Sequence, residues 1–229
     1  MIKPDVIVVW PRNCDYPLWR QQIRNSRKFF TDVIVVFMET NTGSDYREFV
    51  QEAMKDDQVK FFQSPPVIGD KDWRDVATNE GLKHSFSKWV YFTEQDFFTT
   101  MQFWQEVNLR VRDHYPVIGV MEGDRLHPCS FLCRRESIER TRKDFGIVAG
   151  QHDHFWKFTQ DLVTNVEEIA VVKGGYEHMN GLSHNLSLLE QGKEITYKPE
   201  VFRKYLEKCL KVEVPMHDNF REMAEKYVG

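Results

Sequence analysis

Cysteine is scarce in this chain: four thiols, Cys14, Cys129, Cys133 and Cys209, with no CxxC pair and no regular spacing. That excludes a disulfide framework and leaves a zinc cluster without ligands at regular intervals. With no export signal either, reduced thiols in a cytoplasmic setting are the expectation. Long apolar runs are missing, so no membrane-spanning helix is expected. The one early run, Val6–Trp10, is closed in by Asp5 and Arg12 and has the length of a strand, not of a signal peptide. No GxGxxG, Walker loop, GxSxG or HExxH is present, so none of those ready-made signatures applies. Repeats, low-complexity tracts and linker-like stretches are absent too. Charge is nearly balanced, 31 basic against 35 acidic residues for a net −4.

What the chain has is aromatic residues: 17 Phe, 8 Tyr and 6 Trp in 229 positions, far too many for a solvated coil. A chain of this length buries a core without staples and is expected to form one domain. Its first half alternates two hydrophobic periods. Val6–Trp10, Val33–Met38, Val59–Phe62 and Trp89–Phe92 are short continuous apolar runs, suited to strands buried on both faces. Between them lie helical patterns. One opens at Pro17 and carries Trp19, Ile23 and Phe30 on one side. A second sets Tyr46, Phe49, Val50, Ala53 and Met54 at i, i+3, i+4, i+7 and i+8 behind a capping box at Asp45 and Glu48. A third is capped by Asp72, with Trp73, Val76, Ala77 and Gly81 as its inner face.

This alternation predicts an α/β fold with a mostly parallel central sheet flanked by helices. Ligands of such sheets bind at the carboxyl ends of the strands. That rim would carry Pro11-Arg12, Glu39-Thr40 and Glu94-Gln95-Asp96. Farther on, Phe103 to Val111 predicts a helix and Val117–Met121 a strand. Ser130–Cys133 predicts another strand, leading into a helix near Ser137–Arg142. Gln151–Val163 predicts a helix with Phe155, Phe158 and Leu162 inward. Ile169–Val172 predicts a late strand, and Phe202 to Leu210 and Phe220 to Tyr227 predict a helical C-terminal tail.

Three constellations could carry chemistry. Glu94 and Asp96, two apart on an extended strand, would share a face and suit a hard divalent cation; the alternative is a solvated strand end. The stretch from Tyr176 to His184 holds His178 beside a glycine turn, where an imidazole could complete a metal site or merely sit on the surface. Asp153, in Gln151-His152-Asp153-His154, could take a proton from an incoming hydroxyl or cap a helix. Between Arg125 and Lys143 six basic residues face two acids, which suits a solvated helix face or a phosphate-rich partner. Cys129 and Cys133 read as core residues.

In order and spacing these pieces resemble the GT-A fold nucleotide-sugar glycosyltransferases of the family-2 type. The resemblance runs from the strand before Pro11-Arg12, through Arg74…Asn79-x-Gly81, Glu94-x-Asp96 and Asp153, to His178-x-x-Gly181-x-Ser183. It implies a single GT-A-like domain over 1–229, with a nucleotide-binding half (1–96), an acceptor half (97–195) and C-terminal helices (196–229). It implies Mn2+ or Mg2+ held by Glu94, Asp96 and His178, and a nucleotide-sugar donor, a UDP-sugar, met by Pro11, Arg12, Glu39, Arg74, Asn79 and Gln95. Asp153 would be the general base of an inverting transfer. The pattern departs from the family in having Glu94 for the first Asp of the triplet and His152-Asp153 for an acid pair. The segment from His127-Pro128-Cys129 through Arg134-Arg135-Glu136 to Asp153-His154-Phe155 is loosely similar to phage-type DNA-base glycosyltransferases. That similarity implies an acceptor hydroxyl on a hydroxymethylated pyrimidine in DNA, with Arg134 and Arg135 on its phosphates. The rival readings are a nucleotidyltransferase, against which the glycine-free Pro11-Arg12-Asn13-Cys14 counts, and a non-catalytic binding module on the same fold.

Overall fold

A computed structural model describes residues 2–10, 27–37, 55, 58–68, 73–123, 125–141, 145, 155–165, 168–179, 181–190, 192–211, 222 and 225–227. Nine strands and six helices follow one another among these. They are β1 (Asp5–Trp10), β2 (Val33–Phe37), β3 (Val59–Gln63), α1 (Trp73–Lys83), β4 (Trp89–Thr93), β5 (Phe97–Thr99) and α2 (Met101–Arg112). Then come β6 (Val117–Glu122), β7 (Arg125–Arg134), α3 (Arg135–Arg140), α4 (Trp156–Thr164), β8 (Ile169–Val171), β9 (Tyr176–His178), α5 (Leu182–Glu190) and α6 (Pro199–Lys211).

The main sheet has seven strands in the order β3-β2-β1-β4-β7-β6-β8. Within it β7 alone runs against its neighbours, so the sheet is mostly parallel, as the alternating pattern predicts. The continuous Val/Ile runs are buried on both faces with period two. Val6, Val8, Val33 and Val35 enter one core, with Phe29, Phe30 and the Phe103, Trp104 and Val107 face of α2. Ile7, Ile34 and Val36 enter the other, with Ala77 of α1, Ile138 of α3 and Phe158 and Leu162 of α4. Gly81 lets α1 lie close on the sheet: a Cβ there would come 2.6 Å from Ile7 Cγ2 and 3.2 Å from Val36 Cγ2. Cys133 is buried in the second core.

A third, smaller core was not legible in the sequence. It joins Phe98 of β5, Met179 after β9, Leu182 and Leu186 of α5, and Phe202 and Leu206 of α6. Here β5 and β9 pair antiparallel, with Phe97 opposite His178. These strands are three residues long, below the length at which alternation becomes readable. Of the expected helix 151–163, the described part runs from Trp156, after Phe155, which takes a left-handed backbone (φ 64°) and donates its N–H to Phe145 O at 3.1 Å; 151–154 lie outside the described residues. The expected helices at 17–30 and 45–54 lie mainly outside the described residues. Among the described residues no helix is long and apolar enough to cross a membrane.

Candidate active site at the carboxyl rim

Parallel β1, β4 and β6 end on one edge of the sheet, and antiparallel β7 begins there. β4, buried along all five residues, runs out at Thr93 into a tight turn, closed by Phe97 N–H to Glu94 O at 3.4 Å. The turn, rather than strand alternation, gathers the two acids. Glu94 is half-buried and Asp96 is buried.

Asp96 is held by a segment remote in sequence. Its carbonyl accepts the Met179 N–H at 3.0 Å, and its Oδ2 accepts the Gly181 N–H at 2.5 Å. Gly181 reaches that carboxylate in a left-handed conformation (φ 75°), which glycine adopts without steric cost. With Oδ2 occupied, Oδ1 stands 3.8 Å from His178 Nε2. One ligand atom each from Glu94, Asp96 and His178 lies within 4.8 Å of the others. Ligands about 2.1–2.2 Å from a shared ion stand within about 4.4 Å of each other, so a small closing movement would bring all three to ligating distance of one ion. Two carboxylates and one imidazole suit Mn2+ or Mg2+. Burial pushes the His178 imidazole below its ordinary pKa, against the charges of Asp96 and Glu122, which act upward. A neutral ring keeps the lone pair that a metal needs.

Two neighbours escape the sequence pattern. Tyr197 stands by Gly181, its hydroxyl 3.2 Å from where a Cβ would project. Burial, and then the charge of Asp96, push its phenol up to about 12, so it stays a hydrogen-bond donor. Asn185 Oδ1 pins the segment carrying it, accepting from Thr196 N–H, Thr196 Oγ–H and Tyr197 N–H at 2.8, 3.0 and 3.1 Å. His127, near the start of β7, packs its ring edge-to-face on His178 with centroids 4.8 Å apart. Nothing periodic marks either residue; both arrive through tertiary contact.

The other expected site residues fall into three groups. Pro11, Arg12, Glu39 and Asp153 lie outside the described residues. Arg74, in the first turn of α1, lays its guanidinium 4.4 Å from the Trp73 ring centre, and Gln95 is buried in the turn between the two acids. Asn79 donates from Nδ2 to Asp75 O and Asp75 Oδ1 at 2.9 and 2.8 Å, and the same Oδ1 accepts the Phe145 N–H at 2.8 Å. Its amide thus serves a link between α1 and Phe145.

Arg134 and Arg135 are not brought to this rim. β7 runs antiparallel to β4 with Arg134 opposite Trp89, so the pair sits at the amino-terminal edge, a strand length (about 13 Å) from Thr93. Arg135 Nε donates to Ser87 O at 3.0 Å, and Nη2 to Ser85 O and Oγ at 2.6 and 2.8 Å. The Arg134 guanidinium lies 5.1 Å from the Trp89 ring centre. The direction of β7 thus sets these two expected acceptor contacts apart from Asp96.

No family model and no characterised protein sequence matches this chain. Solved structures do. TarS 1–349 of S. aureus superposes with a TM-score of 0.56 at 13% identity, over 99% of this chain and 79% of its own. Glucosyl-3-phosphoglycerate synthase from Mycobacterium tuberculosis, in complex with Mn2+, uridine diphosphate and phosphoglyceric acid, gives 0.53 at 11% identity, over 85% of this chain and 80% of its own. The same enzyme with phosphoglyceric acid gives 0.52 at 13% identity. Identities this low speak for fold alone: the chain has a GT-A-like α/β fold.

Proposed function

We propose that this protein is a glycosyltransferase that moves a sugar from a nucleoside-diphosphate sugar, a UDP-sugar, to an acceptor hydroxyl. The observation that carries the reading is the Glu94–Asp96–His178 group at the carboxyl rim of a GT-A-like sheet. In support, the neighbour in complex with Mn2+ and uridine diphosphate has the same fold. A divalent cation at these three residues would supply positive charge against a departing diphosphate.

The chain's own groups do the rest in this reading. Pro11, Arg12 and Glu39 line the nucleotide pocket, with Arg74 and Gln95 beside it, and Asn79 contributes by holding Asp75. Asp153 takes the proton of the acceptor hydroxyl while that oxygen bonds to the anomeric carbon and the bond from that carbon to the diphosphate oxygen breaks. The attack comes from the side opposite the leaving group, so configuration inverts. Hydroxymethylated pyrimidine in DNA is the acceptor to assay first, with a glycan hydroxyl second.

The test is a thermal-shift series of nucleotide sugars with and without Mn2+ or Mg2+. A ligand of the native state at a hundredfold its Kd adds about 2.7 kcal/mol of stability. One UDP-sugar is expected to raise Tm only with metal, and Asp96→Asn to abolish that rise. Asp153→Asn is expected to keep the rise and lower turnover by about two orders of magnitude or more. No shift with any nucleotide in a folded sample would replace the enzyme reading with a binding module.

A further inference from the structure

The imidazole of His178 has a second imidazole against it. His127 meets it at an interplanar angle of 83° with centroids 4.8 Å apart, an edge-to-face contact. The Nε2 of His127 stands 3.7 Å from Glu122 Oε2, at the end of β6. The His127 side chain is 15% exposed and that of Glu122 is 53% exposed, so the pair runs from the site to solvent. Among the described residues the group whose ligand atoms all lie within 4.8 Å comprises Glu94, Asp96 and His178. His127 is outside it and meets the group at His178.

We propose that His127 is a positioning residue of this site: with Glu122 behind it, its ring holds the His178 ring in the plane that turns Nε2 toward Asp96, and so sets the affinity for a divalent cation. The inference rests on the metal-dependent reading above. His178 is the last residue of the three-residue strand β9, paired with β5, so side-chain contacts help to set the orientation of its ring. Phe97, its cross-strand neighbour, lies farther off, at 6.1 Å between ring centres. His127 is the nearer wall. It also joins the β6–β7 hairpin to a metal ligand on β9, so that a shift of the hairpin would turn the ligand. An edge-to-face ring contact of this kind is worth about 0.5–1.5 kcal/mol, or about two- to tenfold in an equilibrium constant.

The experiment titrates Mn2+ alone into the full chain and reads free Mn2+ by electron paramagnetic resonance, for wild type, His127→Ala, His127→Phe and Glu122→Gln. Wild type is expected to bind one ion. His127→Ala is expected to weaken binding about two- to tenfold, with the metal-free Tm of the folded protein little changed. His127→Phe, which keeps a flat ring against His178, is expected to recover most of the affinity, and Glu122→Gln to lose less than His127→Ala. Wild-type affinity in His127→Ala would overturn the proposal and leave the metal site standing. So would equal losses in His127→Phe and His127→Ala, which would make His127 a ligand through nitrogen. Wild type that binds no Mn2+ would overturn this inference and the metal-dependent reading together.

Discussion

Asp96 is buried at the mouth of the sheet, and each of its oxygens has a different neighbour. Oδ2 accepts the Gly181 N–H and Oδ1 faces His178 Nε2. The division depends on glycine at 181. A Cβ there would meet the Tyr197 hydroxyl at 3.2 Å, and the left-handed backbone costs an L-residue about 1–2 kcal/mol. Gly181→Ala is therefore expected to lower stability by about that amount and to weaken Mn2+ binding, read by urea unfolding and by metal titration. A variant as stable as wild type that binds metal equally well would mean that Asp96 is oriented without Gly181. The Asp96 charge also acts on Tyr197, which stays protonated and positioned to donate.

The elements at the opposite edge are joined by a different carboxylate. Asp5, at the start of β1, accepts from Ser85 Oγ–H, Phe86 N–H and Ser87 N–H on Oδ2 and from Ser87 Oγ–H on Oδ1, at 2.7 to 3.0 Å. Arg135 grips the same turn between α1 and β4 through the Ser85 and Ser87 carbonyls. Burial acts to raise the Asp5 pKa, but the hydrogen bonds from Ser87, Phe86 and Ser85 outweigh it and hold the carboxyl below its ordinary value. Its stabilisation is then complete above the unfolded carboxyl pKa, about 3.9, and is lost as pH falls through the lower folded value. Asp5→Asn is expected to cost about 1–3 kcal/mol at pH 7, with the gap from wild type closing below about pH 4. A gap that persisted undiminished well below that range would assign the loss to packing rather than charge.

Across the molecule, the middle of the chain and its C-terminal part meet at the site through the third core. Phe202 of α6 is fully buried with Phe98, Met179 and Leu182, which flank Asp96 and Gly181 in sequence, so the C-terminal helix buttresses the residues that hold the carboxylate. Phe202→Ala is expected to cost about 3–5 kcal/mol and to weaken Mn2+ binding, measured by denaturant unfolding and titration of the remaining folded protein. Loss of stability with unchanged metal affinity would separate the tail from the site.

Most of the sheet was legible because its determinants are local. A run such as Val6–Trp10 or Val33–Phe37 declares a buried strand by composition alone, and the alternation of such runs with amphipathic stretches leaves few topologies. The acid pair at the exit of β4 was equally visible, since residues two positions apart cannot be far from each other. The three-residue strands β5 and β9 were not, because a pattern of period two needs more positions than they offer. Nor was the direction of β7, which moved Arg134 and Arg135 to the other edge: residue type does not encode strand polarity. His178, Gly181, Tyr197 and His127 reach Asp96 from segments remote in sequence, 85 residues away for Gly181. Their convergence follows from pairing register, a left-handed glycine and a shared aromatic core. Hydrophobic periodicity dictated which faces are buried, and only folding in three dimensions decided which polar groups stand together on the edge it left open.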